Sequence, residues 1–178
     1  EDSDGVGVGD VCEGIVIINE ALYHQHSGAQ EFVELYVVRG PVNLSDWTLS
    51  DQDEVTLTFD SSVSSFDCGD PFVVETGDIV VVWSGSGSSV CTGRVRELYM
   101  EVGGFMSRRG DDLVLRNAAG VCHDYMQFET GPEVDGIPEG CEWSGPNSDN
   151  GEVRGTGVSR VDSRPVQDTD SGGDWEPS

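Results

Sequence analysis

The chain has 178 residues, with 34 acidic side chains against nine basic ones, all nine of them Arg, and a formal net charge of −25. A field of that sign repels phosphate backbones and anionic headgroups, so nucleic acid and acidic membrane surfaces are disfavoured as partners. No run approaches the roughly 18 apolar residues of a membrane span, and the length fits one domain with loop insertions. The acid excess without Lys suits a high-salt exterior or an acidic secreted protein.

Residues 1–14 are rich in Gly and acid and read as a flexible leader, with Val6, Val8 and Val11 alternating along it. They contain neither the basic stretch nor the apolar core of a signal peptide, so any secretion signal is expected to have been removed or left out. Residues 15–20 read as a first strand and 31–38 as a second, the latter setting Val33, Leu35 and Val37 on one face and Phe32, Glu34 and Tyr36 on the other. The loop between them carries His24 and His26 near Glu20 and Glu31, a His-x-His pair of metal-ligand type, which a solvated loop explains better. Glu34, a carboxylate among apolar neighbours, must find hydrogen bonds or titrate at higher pH. A catalytic pairing of Glu34 with Glu20 is the weaker reading.

A Gly40-Pro41 turn leads to a short strand over 47–50, and the acidic group Asp51, Asp53 and Glu54 reads as a solvated turn. Residues 54–59 alternate, with Val55, Leu57 and Phe59 inward. After a long polar loop, Ile79–Trp83 is a nearly continuous apolar strand expected in the centre of a sheet, and 84–93 is low-complexity and flexible in composition. An extended segment over 94–106 follows. Arg109-Gly110-Asp111 is an adhesive tripeptide by sequence. Residues 112–116 and 121–128 form a β-hairpin, 129–154 an insertion rich in Gly, Pro and acid, and 157–161 a last strand.

Ile18-Asn19-Glu20, Tyr23, Gly28, Glu31-Phe32-Val33-Glu34-Leu35, Val42, Leu44-Ser45, Trp47, Leu49 and Ser50-Asp51 together resemble the opening of the lamin tail domain family. Gly77-Asp78 before the apolar strand, Gly110-Asp111 in the turn, and Asp168-Thr169-Asp170 with Asp174-Trp175 at the close extend the resemblance. It implies an immunoglobulin-like antiparallel β-sandwich with long loop insertions, occupying residues 15–178. It also implies a non-catalytic module that works by contact with other proteins.

Five cysteines stand far apart with no CxxC or paired Cys/His spacing, so disulfides in an oxidising compartment are expected in place of a metal site. Several connectivities are open. The pairing favoured here joins Cys68 with Cys91, which flank the Ile79–Trp83 strand, and Cys122 with Cys141. Cys12 is then free or available for pairing between chains. Asp168, Asp170 and Asp174 have the alternating spacing of a calcium loop, with Gly172 for the bend, against which stands a cap accepting backbone N–H groups. No cofactor is required, and calcium is the one candidate.

The expectation is a secreted structural or adhesive module whose partner is protein, including itself in a fibre or surface layer. The rivals are a calcium-stabilised binding module and an accessory domain of a secreted hydrolase or nuclease. Nucleophilic catalysis has no motif behind it.

Overall fold

The computed structural model describes residues 14–24, 29–51, 56–60, 72–102, 104–129, 136–149, 155–161 and 170–178. Alternation of β-branched and aromatic residues makes strands the dominant regular element of these segments, with one short 3-10 turn at Gly172–Asp174. One sheet contains β1 (Ile15–His24), β2 (Phe32–Arg39), β7 (Ile79–Trp83), β8 (Val90–Thr92), β9 (Val95–Tyr99), β12 (Thr156–Arg160) and β13 (Trp175–Pro177), in the order β13-β12-β1-β2-β7-β9-β8. The second contains β4 (Thr48–Ser50), β5 (Thr56–Thr58), β10 (Gly110–Arg116) and β11 (Cys122–Glu129), in the order β11-β10-β4-β5. A short ladder of β3 (Val42–Asn43) with β6 (Val73–Val74) stands apart.

The two sheets bury one continuous core. Val33, Leu35 and Val37 of β2 face Leu113 and Leu115 of β10 and Met126 and Phe128 of β11 within it, all fully buried. Leu57 and Phe59 point inward as their alternation requires. This is the immunoglobulin-like sandwich expected from the sequence.

Residues 84–93 depart from expectation. Their composition suggested a flexible loop, but they end in β8, which pairs with β9 across a turn at Gly93-Arg94. Gly93 takes φ +62°, which a side chain would disfavour. The chain skips one position after β7, lays β8 at the sheet edge, and returns as β9 into the gap, so β7 and β9 run parallel. Asp51 also departs: it is buried, 4 % exposed, and not part of a solvated turn. Asp53 and Glu54 lie outside the described residues.

The first half of β1 pairs with β2, but β12 pairs with β1 only from Glu20 onward. The backbone of Val16 and Ile18 therefore needs other partners, and β11 supplies side chains. The Val16 N–H donates to His123 Nε2 at 3.1 Å and the Ile18 N–H to Asp124 Oδ2 at 2.6 Å. Arg160 completes the clasp, donating from Nε to the Ile18 carbonyl at 2.7 Å and pairing through Nη2 with Asp124 at 3.2 Å. Its guanidinium also lies 4.8 Å from the centre of the Trp175 ring. Buried backbone groups that lack a strand partner must be satisfied in some such way.

Candidate interaction surface

The outer faces of the two sheets differ in what covers them. On the smaller sheet, Asp112, Tyr125 and Gln127 form a buried chain in which Gln127 Nε2 donates to the Tyr125 hydroxyl at 2.6 Å and that hydroxyl donates to Asp112 Oδ2 at 3.1 Å. Burial, first of all, and the acids around it push the Tyr125 hydroxyl upward in pKa, so it stays a donor. Residues 136–149 lie against this sheet. Cys141 is joined to Cys122 at the start of β11, Trp143 packs edge-on against Tyr125 with ring centres 6.1 Å apart, and Ser148 bridges Phe128 near the strand's other end. One face and the β11 edge are thereby occupied.

The larger sheet carries a different outer face. Side chains opposite one another in register form rows across its strands. Leu22, Phe32, Trp83 and Tyr99 make one row across β1, β2, β7 and β9. Ile17, Tyr36, Ile79 and Val95 make another. Between them runs Glu20, Glu34, Val81 and Glu97. Inner positions of β2 and β7 are buried while these outer positions, Ile17 apart, are only partly buried. The outer face of the larger sheet thus carries two apolar rows on either side of a row of carboxylates.

The aromatic row is held in place. Phe32 and Trp83 have ring centres 5.0 Å apart with planes tilted by 58°, and Trp83 and Tyr99 lie 6.4 Å apart and nearly parallel at 16°. Trp83 Nε1 donates to Glu97 Oε2 at 3.2 Å, which fixes the indole. Gly87 lies against the Tyr99 ring so closely that a Cβ there would fall 2.2 Å from Cε1. Only glycine fits. Burial, and then Glu97, raise the Tyr99 hydroxyl pKa.

Glu34 meets both conditions set by its sequence context. Its Oε1 accepts from Asn19 Nδ2 at 2.7 Å, and its pKa rises, through burial first and then through Glu20. Glu20 does stand opposite Glu34, on the outer face of the larger sheet.

The other candidate residues separate. His123 is committed to the Val16 amide, and burial lowers its pKa to about 4, so the ring is neutral and structural. His26 lies outside the described residues, and of His24 only the backbone is described, at the end of β1. Gly110 takes φ +127° and Asp111 is 4 % exposed, its carboxylate accepting from the Ser107 and Asp112 amides. The RGD tripeptide is therefore not wholly a turn as its sequence suggests: it runs from the turn at Arg108-Arg109 into the start of β10, and its acid points into the fold. Asp174 accepts from the Ser171 amide at 3.4 Å, and the Asp170 carbonyl accepts from Ser144 at 2.6 Å. Asp168 lies outside the described residues, which contain no group of three acidic, His or Cys side chains placed to hold a metal. Cys91 is also disulfide-bonded; Cys12 and Cys68 lie outside the described residues.

A two-sheet sandwich with one outer face covered by residues 136–149 and the other carrying rows of partly exposed aromatic side chains is an immunoglobulin-like module of the protein-interaction class. The model of the Lamin Tail Domain matches residues 13–130, and the chain belongs to that family of non-catalytic, immunoglobulin-like domains. None of the curated proteins searched matches the chain. Strands β12 and β13 come from beyond the matched residues, yet they extend the same sheet through β1.

Proposed function

We propose that the chain is a secreted structural or adhesive module that holds another protein against the outer face of its larger sheet. The Cys122–Cys141 bond and the bonded Cys91 support an oxidising compartment. The observation that carries the reading is the row of Phe32, Trp83 and Tyr99 on a sheet face whose counterpart on the other sheet is covered. Rigid aromatics on an exposed face are the groups that supply binding free energy at interfaces.

Assembly with copies of itself through sheet edges has less support. The outermost strands β8 and β13 have three residues each, β13 contains Pro177, β5 also has three, and β11 is bridged by Ser148. Short, proline-bearing or covered edges resist strand addition.

The test compares face and edge variants for retention on extracellular material from the source cells. The Phe32→Ser/Trp83→Ser variant, shown by its melting temperature to be folded, is expected to lose retention at least about tenfold. The edge variant Thr56→Lys, at an exposed position of the edge strand β5, is expected to keep it. Loss in Thr56→Lys alone would place the contact at the edge.

A further inference from the structure

The carboxylate row on the open face is longer than its central part. In register it reads Glu176, Ser159, Glu20, Glu34, Val81, Glu97, Val90 across all seven strands. Four carboxylates thus share one line with only neutral neighbours between them, and Glu20 and Glu34 stand directly opposite each other. Like charges in opposed positions destabilise a sheet. At the strand spacing of about 4.8 Å, Glu34 and Glu97 lie about 10 Å apart with Val81 between. No ion pair among the described residues neutralises Glu20, Glu34 or Glu97. The basic residues of the neighbouring strand ends are engaged elsewhere: Arg96 with Asp78 and Arg94 with the Thr76 carbonyl.

We infer that this face binds an arginine-bearing, extended segment of a partner protein, its guanidinium groups stacking on Trp83 while pairing with Glu34 and Glu97. The inference rests on the reading of the open face as the interaction surface and adds the chemistry of its occupant. An acid row beside an aromatic row matches a group that is both planar and cationic. Guanidinium stacks on aromatic rings and pairs with carboxylates through a fixed fork of donors, and it is more weakly hydrated than an ammonium. A second copy of the chain is a poor occupant, because it would set a row of carboxylates against a row of carboxylates. A neutral sugar would use the rings but would desolvate the acids without compensating their charge. Burial first, and then Glu20, hold the Glu34 carboxyl up, and a cation paired with it would favour its ionised form.

The test is an NMR titration of the full chain with a blocked eight-residue peptide of alternating Arg and Val, read at the Trp83 indole N–H and the β2, β7 and β9 amides. The expected result is movement of those resonances, with affinity reduced about tenfold in Glu34→Gln/Glu97→Gln and less than about twofold in Glu139→Gln/Glu142→Gln, which removes two exposed charges elsewhere. Equal losses in the two double variants would mean attraction to net charge alone and would overturn the inference. A peptide with Gln in place of Arg that binds the same residues equally well would also overturn it, while leaving the face as the interaction surface. If neither peptide moves those resonances and a soluble glucan oligosaccharide does, the occupant is carbohydrate. If no probe moves them, the reading of the face falls as well.

Discussion

Replacing Asp124 with Ala lowers the unfolding free energy by about 3–5 kcal/mol, the usual cost of removing one member of a buried, hydrogen-bonded ion pair. Asp124 is 2 % and Arg160 6 % exposed at the side chain, so the charge left behind has little water to turn to. The same carboxylate accepts from the amides of Ile18 and Tyr125, at 2.6 and 2.8 Å, and both donors would be orphaned. The loss falls at the junction of β1, β11 and β12, where side chains stand in for a missing length of strand. Urea unfolding followed by tryptophan emission measures it. In Asp124→Ala/Arg160→Met the cost is smaller than the sum of the single changes, because neither variant charge is stranded alone. A cost below about 1 kcal/mol for Asp124→Ala would mean that the clasp does not hold the sheets together.

Raising the pH from 4 to 8 destabilises the protein through Asp111. Burial first, and then Asp51 and Asp112, raise its carboxyl to about 7 from an ordinary 3.8, while its bonds from the Ser107 and Asp112 amides pull the other way. Between those two values the folded state keeps a proton that the unfolded state has released. Stability is therefore present at the acid end of the window and lost as pH rises through 7. Three units correspond to about 4 kcal/mol, which partial solvent screening reduces to roughly 2 kcal/mol. His123 acts in the opposite sense. Burial lowers it to about 4 from 6.5, so the unfolded state gains the proton first and stability is lost as pH falls through that window. Protonation of Nε2 would also set its N–H against that of Val16. Thermal unfolding at pH 4 and 8 separates the two effects. Relative to wild type, Asp111→Asn gains about 2 kcal/mol between pH 4 and pH 8. His123→Gln shows the reverse trend. A wild-type-to-variant difference that is constant with pH would refute the assignment for that residue.

The strands that place the core are legible because their side chains alternate. Val33, Leu35 and Val37 face inward as read, and the hairpin of β10 and β11 lies where its Gly-ended turn predicts. Cys122 and Cys141 are joined across 19 residues of an insertion whose composition gave no sign that it would cover a sheet. The covering depends on Trp143 meeting Tyr125, a contact that no local pattern announces. The aromatic row is hidden for a related reason. Ile79–Trp83 is apolar at every position, which normally means burial on both faces. That run shows nothing of an open side, and the neighbour of Trp83 is set by a parallel pairing with β9 that skips past β8. Asp124 and Arg160 likewise meet only because β1 brings the hairpin and a late strand together. Asp51 looked solvated beside Asp53 and Glu54, but its position directly after β4 carries it into the fold.

The most direct test of the open face as the interaction surface is photo-crosslinking in extracellular material from the source cells. A photoreactive residue replaces Val81, between the two glutamates of the central row, or Val121, which is 57 % exposed at the hairpin end. Adducts to a protein partner from the Val81 position and none from the Val121 position are the predicted result. Adducts from the Val121 position alone would contradict it and move the contact to the far end of the smaller sheet.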